Sequence, residues 1–321
     1  MRHQFSLYHK GKELKASKSG ISDRLRSIDY RYYEAIFIKL RTEFAKEIPP
    51  IDSNNIKLFD STLITLSSKL LKCGFKTSSG FKQQVKFSVG FDGLPCSVRF
   101  GDKNSDNSEE VALKAAIKEA SLSKEDIVVF DRGISARKTL QEFKQTGVQF
   151  VTRLNDKANY KVIKDSGLVA QTAGELELVG DYIVYLRSKD IQWVKEEFRL
   201  IKAINKAGKE LIFLTNLTDL TAAEITEIYK MRWDIEVFFK FIKQHLNTKH
   251  FLSRDINGIK VVFYMILISA LMILTFKKLN KIDSFKLAKK RFVEQLRRAI
   301  TYDIILLYRH DPSEFKSSFA F

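Results

Sequence analysis

Asp126–Thr152 reads DIVVFDRGISARKTLQEFKQTGVQFVT, and this stretch sets the fold class. Ile127–Phe130 is an unbroken apolar run of strand length, and it ends in an acid, Asp131. Residues 135–146 then carry a helical pattern, and Val148–Thr152 returns to strand. Strand, helix and strand in succession predict an α/β plan. Upstream, Ile56–Asp60 predicts another strand closing on an acid. Residues 84–91 and 94–100 predict two strands joined through Asp92-Gly93, a strong hairpin signal. A helix is expected over 109–121.

Further out the rhythm changes. Residues 153–210 show few helix signals and strand-like runs at 182–186 and 197–204, with 211–214 following, so the segment is expected to be a β-rich insertion. Before it, apolar Tyr33, Ile36, Phe37, Leu40 and Phe44 are spaced for a helix that Pro49-Pro50 stops. The resulting division is a helical N-terminal segment, 1–50; a core of 51–152 and 211–258; the insertion, 153–210; and a helical C-terminal segment, 259–321. Val261–Phe276 holds sixteen residues without a charge, short of the ~20 that span a bilayer, and is expected to be a buried core helix.

Composition narrows the function classes. The 321 residues are 45% hydrophobic, enough to bury a core, which excludes wholesale disorder. Lys and Arg number 55 against 38 acids, giving +17, which points to a polyanionic partner or an acidic surface. Two cysteines, Cys73 and Cys96, cannot build a disulfide framework or a Cys-rich zinc site. There is no phosphate-cradling Gly-rich loop, no Gly-x-Ser-x-Gly elbow and no His-Glu-x-x-His, so P-loop, dinucleotide, serine-hydrolase and zincin chemistries are disfavoured.

One cluster carries chemistry. Thr221 and Glu224 form a capping-box signature that opens a helix expected to run to 246. At roughly 100° per residue, Tyr229, Arg232, Glu236 and Lys243 fall within an arc of about 60° beside an apolar face. On an arbitrary helix, a solvated stripe with an i,i+4 ion pair is the ordinary explanation of this arrangement. Asp60 and Asp131 favour the chemical reading. Both follow apolar strands, where α/β folds place working groups. If their strands pair and the helix brings Glu236 close, three carboxylates crowd together, and hard divalent cations with oxygen ligands relieve the repulsion. Two such ions about 4 Å apart clamp the oxygens of an in-line phosphoryl displacement. Asp92, Asp102 and Asp106 read as turn or loop acids, Asp106 being the substitute for Asp60.

Tyr229-x-x-Arg232-x-x-x-Glu236-x-x-x-x-x-x-Lys243 resembles the signature of the "insertion sequence four" family of bacterial transposases, in the DDE group. Phe59-Asp60-Ser61-Thr62 and Phe130-Asp131-Arg132-Gly133 resemble its first and second Asp motifs, and the likeness covers about 15–275. The resemblance implies an α/β, ribonuclease-H-like catalytic core with a β-rich insertion. It implies Asp60, Asp131 and Glu236 as catalytic metal ligands for two Mg²⁺ or Mn²⁺ ions. Tyr229, Arg232 and Lys243 are implied as contacts to DNA phosphates, and Trp233 as a stacking residue. Arg132, Arg153 and Lys240 are further expected DNA contacts. The implied reaction is cleavage at transposon ends followed by 3′-OH transfer into double-stranded target DNA, by a homodimer on paired ends, in the bacterial cytoplasm at the nucleoid and not on a membrane. Ile134 departs from an aromatic frequent in the family at that place, and residues 1–50 read as a shortened DNA-binding region. A metal-dependent nuclease and an inactive DNA-binding remnant are the alternative functions.

Overall fold

The computed structural model describes residues 18–48, 55–65, 75–76, 83–101, 108–188, 192–246 and 255–307. Asp102, Asp106, Cys73 and the Pro49-Pro50 stop lie outside them. The chain divides into two compact units, one comprising Met1–Phe44, Ser67–Cys73 and Ile242–Phe321, the other Ala45–Leu66 and Gly74–Phe241.

The second unit is α/β, as expected, and is built on one large mixed sheet. Its strands are β1 (Ile56–Thr65), β2 (Phe75–Lys76), β3 (Gln83–Phe91), β4 (Pro95–Gly101), β5 (Ile127–Phe130), β6 (Gln149–Arg153), β7 (Tyr160–Asp165), β8 (Gln171–Ala173), β9 (Leu176–Arg187), β10 (Trp193–Asn205) and β11 (Glu210–Thr215). They run β2-β3-β1-β5-β6-β11-β10-β9-β7, with β4 also on β3 and β8 on β9. β1 pairs parallel with β5, and β5 with β6; β3 runs antiparallel to both β1 and β4. The hairpin turn is where Asp92-Gly93 placed it, with Gly93 at φ 103°.

Two helices on this sheet matter for the site. They are α3 (Glu109–Glu119) and α4 (Arg137–Gln145), after α1 (Lys18–Ser27) and α2 (Tyr30–Glu47) of the first unit. α4 buries Thr139, Leu140 and Phe143 on one face, and α3 buries Ala112, Leu113, Ala116 and Ile117. That is the i, i+3, i+4 spacing of an amphipathic helix. Both pack onto a core holding Phe59, Phe130, Phe143, Phe150 and Phe198. Burying each such ring contributes roughly 1.5–3 kcal/mol.

Two expectations change in detail. β1 does not end at Asp60; it continues to Thr65 because residues 61–65 still pair with β3. Pairing with β5 does end at Phe59, so Asp60 stands where the two strands part. The expected single helix from 222 is two, α5 (Ala222–Lys230) and α6 (Trp233–His245). The chain tightens between them: Arg232 N–H donates to Tyr229 O at 3.0 Å and Asp234 N–H to Met231 O at 2.9 Å, both i→i+3 bonds.

The first unit adds α7 (Ile256–Leu279) and α8 (Phe285–Leu307). α7 is long and apolar enough to cross a membrane by length and composition, but 61% of its most apolar window is buried inside the protein. It packs against α1 and α8, and Tyr264 on it donates to Glu34 Oε1 at 2.5 Å.

Candidate functional site

Phe59 and Phe130 are register partners in the parallel β1–β5 pair, and both are fully buried. Anchoring those rings makes the next residue of each strand, Asp60 and Asp131, emerge side by side. Oxygens of Asp60, Asp131 and Glu109 lie within 4.8 Å of one another, making this the one candidate metal-ligand cluster among the described residues. Glu109 is the first residue of α3, where an acid favours the helix dipole. Sequence reasoning placed it only at the start of a helix; the available signal was an acid at the N-terminus of the helix between the two Asp-bearing strands.

Local hydrogen bonds fix the carboxylates. Ser61 N–H donates to Asp60 Oδ1 at 2.7 Å, and Gly133 N–H to Asp131 Oδ1 at 2.8 Å. A Cβ at Gly133 would stand 2.8 Å from Asp131 Oδ1 and 3.1 Å from Glu109 Cγ. Glycine in the Asp-Arg-Gly motif thus keeps that space open. Next to Glu109, Glu110 accepts from Ala136 N–H at 2.9 Å. It thereby caps α4 and ties the first turn of α3 to the loop after Asp131.

Crowding shows in the proton affinities. The Asp60 carboxyl is pushed up to about 7, by burial first and then by the charge of Asp131; Ser61 N–H and Arg232 oppose the rise. Glu109 is exposed as a residue, yet its carboxyl is desolvated and faces Asp131, so its pKa also rises, with Lys86 opposing. Oxygen donors crowded until their charges repel suit a hard divalent cation.

Glu236 is held differently. Its Oε1 accepts from Arg232 Nη2 at 2.6 Å, the side chains being 33% and 17% exposed. Arg232 also acts on Asp60 and Asp131, standing electrically between the carboxylate group and Glu236. α6 is seated by Phe238 against Phe91 of β3, ring centres 5.2 Å apart. α5 is seated by Tyr229 against Phe213 of β11 at 5.3 Å, and the expected capping box is present at Thr221 and Glu224.

A basic, aromatic wall adjoins the acids. Arg153 lies 6.0 Å from the ring centres of both Phe213 and Tyr229, and Arg232 lies 5.7 Å from Tyr229. Arg153 Nε and Nη2 are buried without a hydrogen-bond partner among the described residues. Burial, then the charges of Arg132 and Arg232, lowers the Arg153 pKa. Burial raises the Tyr229 pKa although Arg232 and Arg153 pull against it, so the phenol stays a donor. Arg153, Phe213 and Tyr229 line a pocket of about 200 Å³ with Thr226, Glu227 and Lys230. Trp233 is 62% exposed at the start of α6, and Lys240 and Lys243 are exposed along it.

The family model described as "Transposase DDE domain" matches residues 52–272, more than half of the chain and all three clustered acids. The chain belongs to that family. It is 26% identical over 227 residues to a Sinorhizobium fredii protein named as transposase y4zB, covering 71% of this chain and 62% of that one. It is 24% identical over 260 residues to a Synechocystis protein named as the transposase for insertion sequence element IS4SA, covering 79% and 70%. A Geobacillus stearothermophilus protein named as the transposase for insertion sequence element IS5377 matches at 24% over 208 residues, covering 64% and 52%. The match thus spans only about three fifths of the first of these relatives.

Proposed function

We propose that the protein is a DDE-type DNA transposase that cleaves strands at transposon ends and joins the 3′-OH to target DNA. One observation carries the reading: the register of β1 and β5 sets Asp60 and Asp131 side by side, with carboxylate oxygens within 4.8 Å of one another. We further read β4-β3-β1-β5-β6 as a ribonuclease-H-like core over 51–152 and 211–258. The antiparallel hairpin strands beside three parallel strands, with helices packed on the sheet, support this. Residues 153–210 would then be the insertion, and 1–50 and 259–321 the flanking helical segments.

Two Mg²⁺ or Mn²⁺ ions are the cofactors proposed, and the crowded oxygen donors and the space kept open at Gly133 fit them. Asp60 and Asp131 would hold them, with Glu236 completing the second set of ligands once it gives up Arg232. When bound, such ions supply an activated water or 3′-hydroxyl and a stabilised leaving oxygen. The chain's own groups position the DNA. Arg232, Arg153, Arg132, Lys240 and Lys243 would hold phosphates, and the +17 charge favours them in general. Tyr229, kept protonated, would donate to a phosphate oxygen, and exposed Trp233 offers a face for a base. No side-chain nucleophile is involved. A homodimer on paired double-stranded ends, at the nucleoid, completes the proposal.

The test is cleavage of labelled transposon-end DNA with Mg²⁺. Cleavage should vanish in Asp60→Ala, Asp131→Ala and Glu236→Ala while DNA binding survives. Cleavage unaffected in all three rejects the assignment. Supplying a pre-cut 3′-OH end with plasmid target separates a transposase, which joins them, from a nuclease, which does not. Salt-sensitive binding without cleavage under any metal marks a DNA-binding remnant.

A further inference from the structure

We propose that Glu109 is a ligand of the metal centre, completing with Asp60 and Asp131 a three-carboxylate site that takes one divalent cation before DNA arrives. The proposal rests on the reading of Asp60 and Asp131 as ligands, and adds a residue that lies outside the Asp, Asp and Glu motifs. Its basis is position. Oxygens of these three groups are mutually within 4.8 Å, whereas Glu236 is engaged by Arg232 at 2.6 Å.

The helix dipole explains why an acid opens α3. It does not explain why that acid faces two others, against repulsion that rises as water is excluded. Nor is Glu109 on a loosely held turn. Its neighbour Glu110 binds Ala136 N–H at 2.9 Å, fastening the start of α3 to the segment that follows Asp131. Between them Gly133 is the position where a Cβ would touch both Asp131 Oδ1 and Glu109 Cγ. Arg232 acts on Asp60 and Asp131 but is shared with Glu236, and Lys86 acts on Glu109. Three oxygens from three side chains, with water filling the other positions, are a sufficient ligand set for Mg²⁺ or Mn²⁺.

The experiment is a Mn²⁺ titration of the full chain without DNA, followed by the electron paramagnetic resonance of free Mn²⁺. Glu109→Gln keeps shape and removes charge at an exposed position. It is expected to weaken Mn²⁺ binding at least about tenfold, the lower end for disturbing a metal's surroundings. Glu109→Asp should weaken it less. Glu119→Gln, an equal loss of charge at the far end of α3, should leave it unchanged. Mn²⁺ binding unaltered in Glu109→Gln, but lost in Asp131→Asn, overturns the role of Glu109 and leaves the Asp60–Asp131 centre standing. Binding unaltered in both variants overturns the metal centre, and this inference with it.

Discussion

Asp60→Asn should stabilise the metal-free protein, and more so as pH rises. Asp60 titrates at 3.8 when unperturbed and at about 7 in the fold. Between those values the native chain keeps a proton that the unfolded chain has released, so a rise in pH works against the native state. The penalty is absent below the unfolded value and complete above the folded one. At about 1.4 kcal/mol per pH unit, it reaches about 4 kcal/mol at pH 8 and about 2 kcal/mol at pH 5. Asparagine keeps the shape and removes the charge, so it should recover most of this. The assay is urea unfolding of wild type and Asp60→Asn in EDTA at both pH values. The variant's advantage should roughly double from pH 5 to pH 8. Saturating Mg²⁺ should narrow it, because binding to the native state stabilises only the chain that retains the ligand. A variant less stable than wild type, or an advantage independent of pH, would refute the reasoning.

Other consequences concern single contacts. Gly133→Ala would press on Asp131 Oδ1, placed only 2.8 Å from the new carbon; cleavage should fall about 100-fold, the scale of a 1 Å misplacement, while the denaturant midpoint moves little. Arg199→Ala should cost about 3–5 kcal/mol in urea unfolding, because Asp181, 5% exposed, would lose its paired guanidinium at 2.7 Å. Converting both partners to apolar residues should recover much of that loss. Arg153→Ala should weaken binding across DNA sequences and flatten the log affinity against log salt slope by about 0.9; an unchanged slope in a binding assay would exclude a phosphate contact.

The parts of the fold that were legible in the sequence follow strong local rules. Ile127–Phe130 and the Asp92-Gly93 turn sit where apolar runs and turn chemistry placed them. β7 was not foreseen, since YKVIKD lies on the sheet edge with almost every residue exposed and has little apolar alternation. The break between α5 and α6 was also hidden: Lys230-Met231-Arg232-Trp233 contains neither proline nor glycine, and its tightened turn is visible only in the i→i+3 bonds. At the site, strand ends alone let Asp60 and Asp131 meet only on the condition that their strands pair, and the register brings them together. Glu109 needed the tertiary structure, because only the packing of α3 against β1 brings the first residue of that helix to the two strand-end acids.

Crystals soaked in Mn²⁺, with an anomalous difference map at the manganese edge, test the central claim most directly. A peak is expected among the carboxylates of Asp60, Asp131 and Glu109, within about 2.5 Å of their oxygens, and absent in Asp131→Asn. Manganese bound elsewhere, with none at these three side chains, would contradict the account.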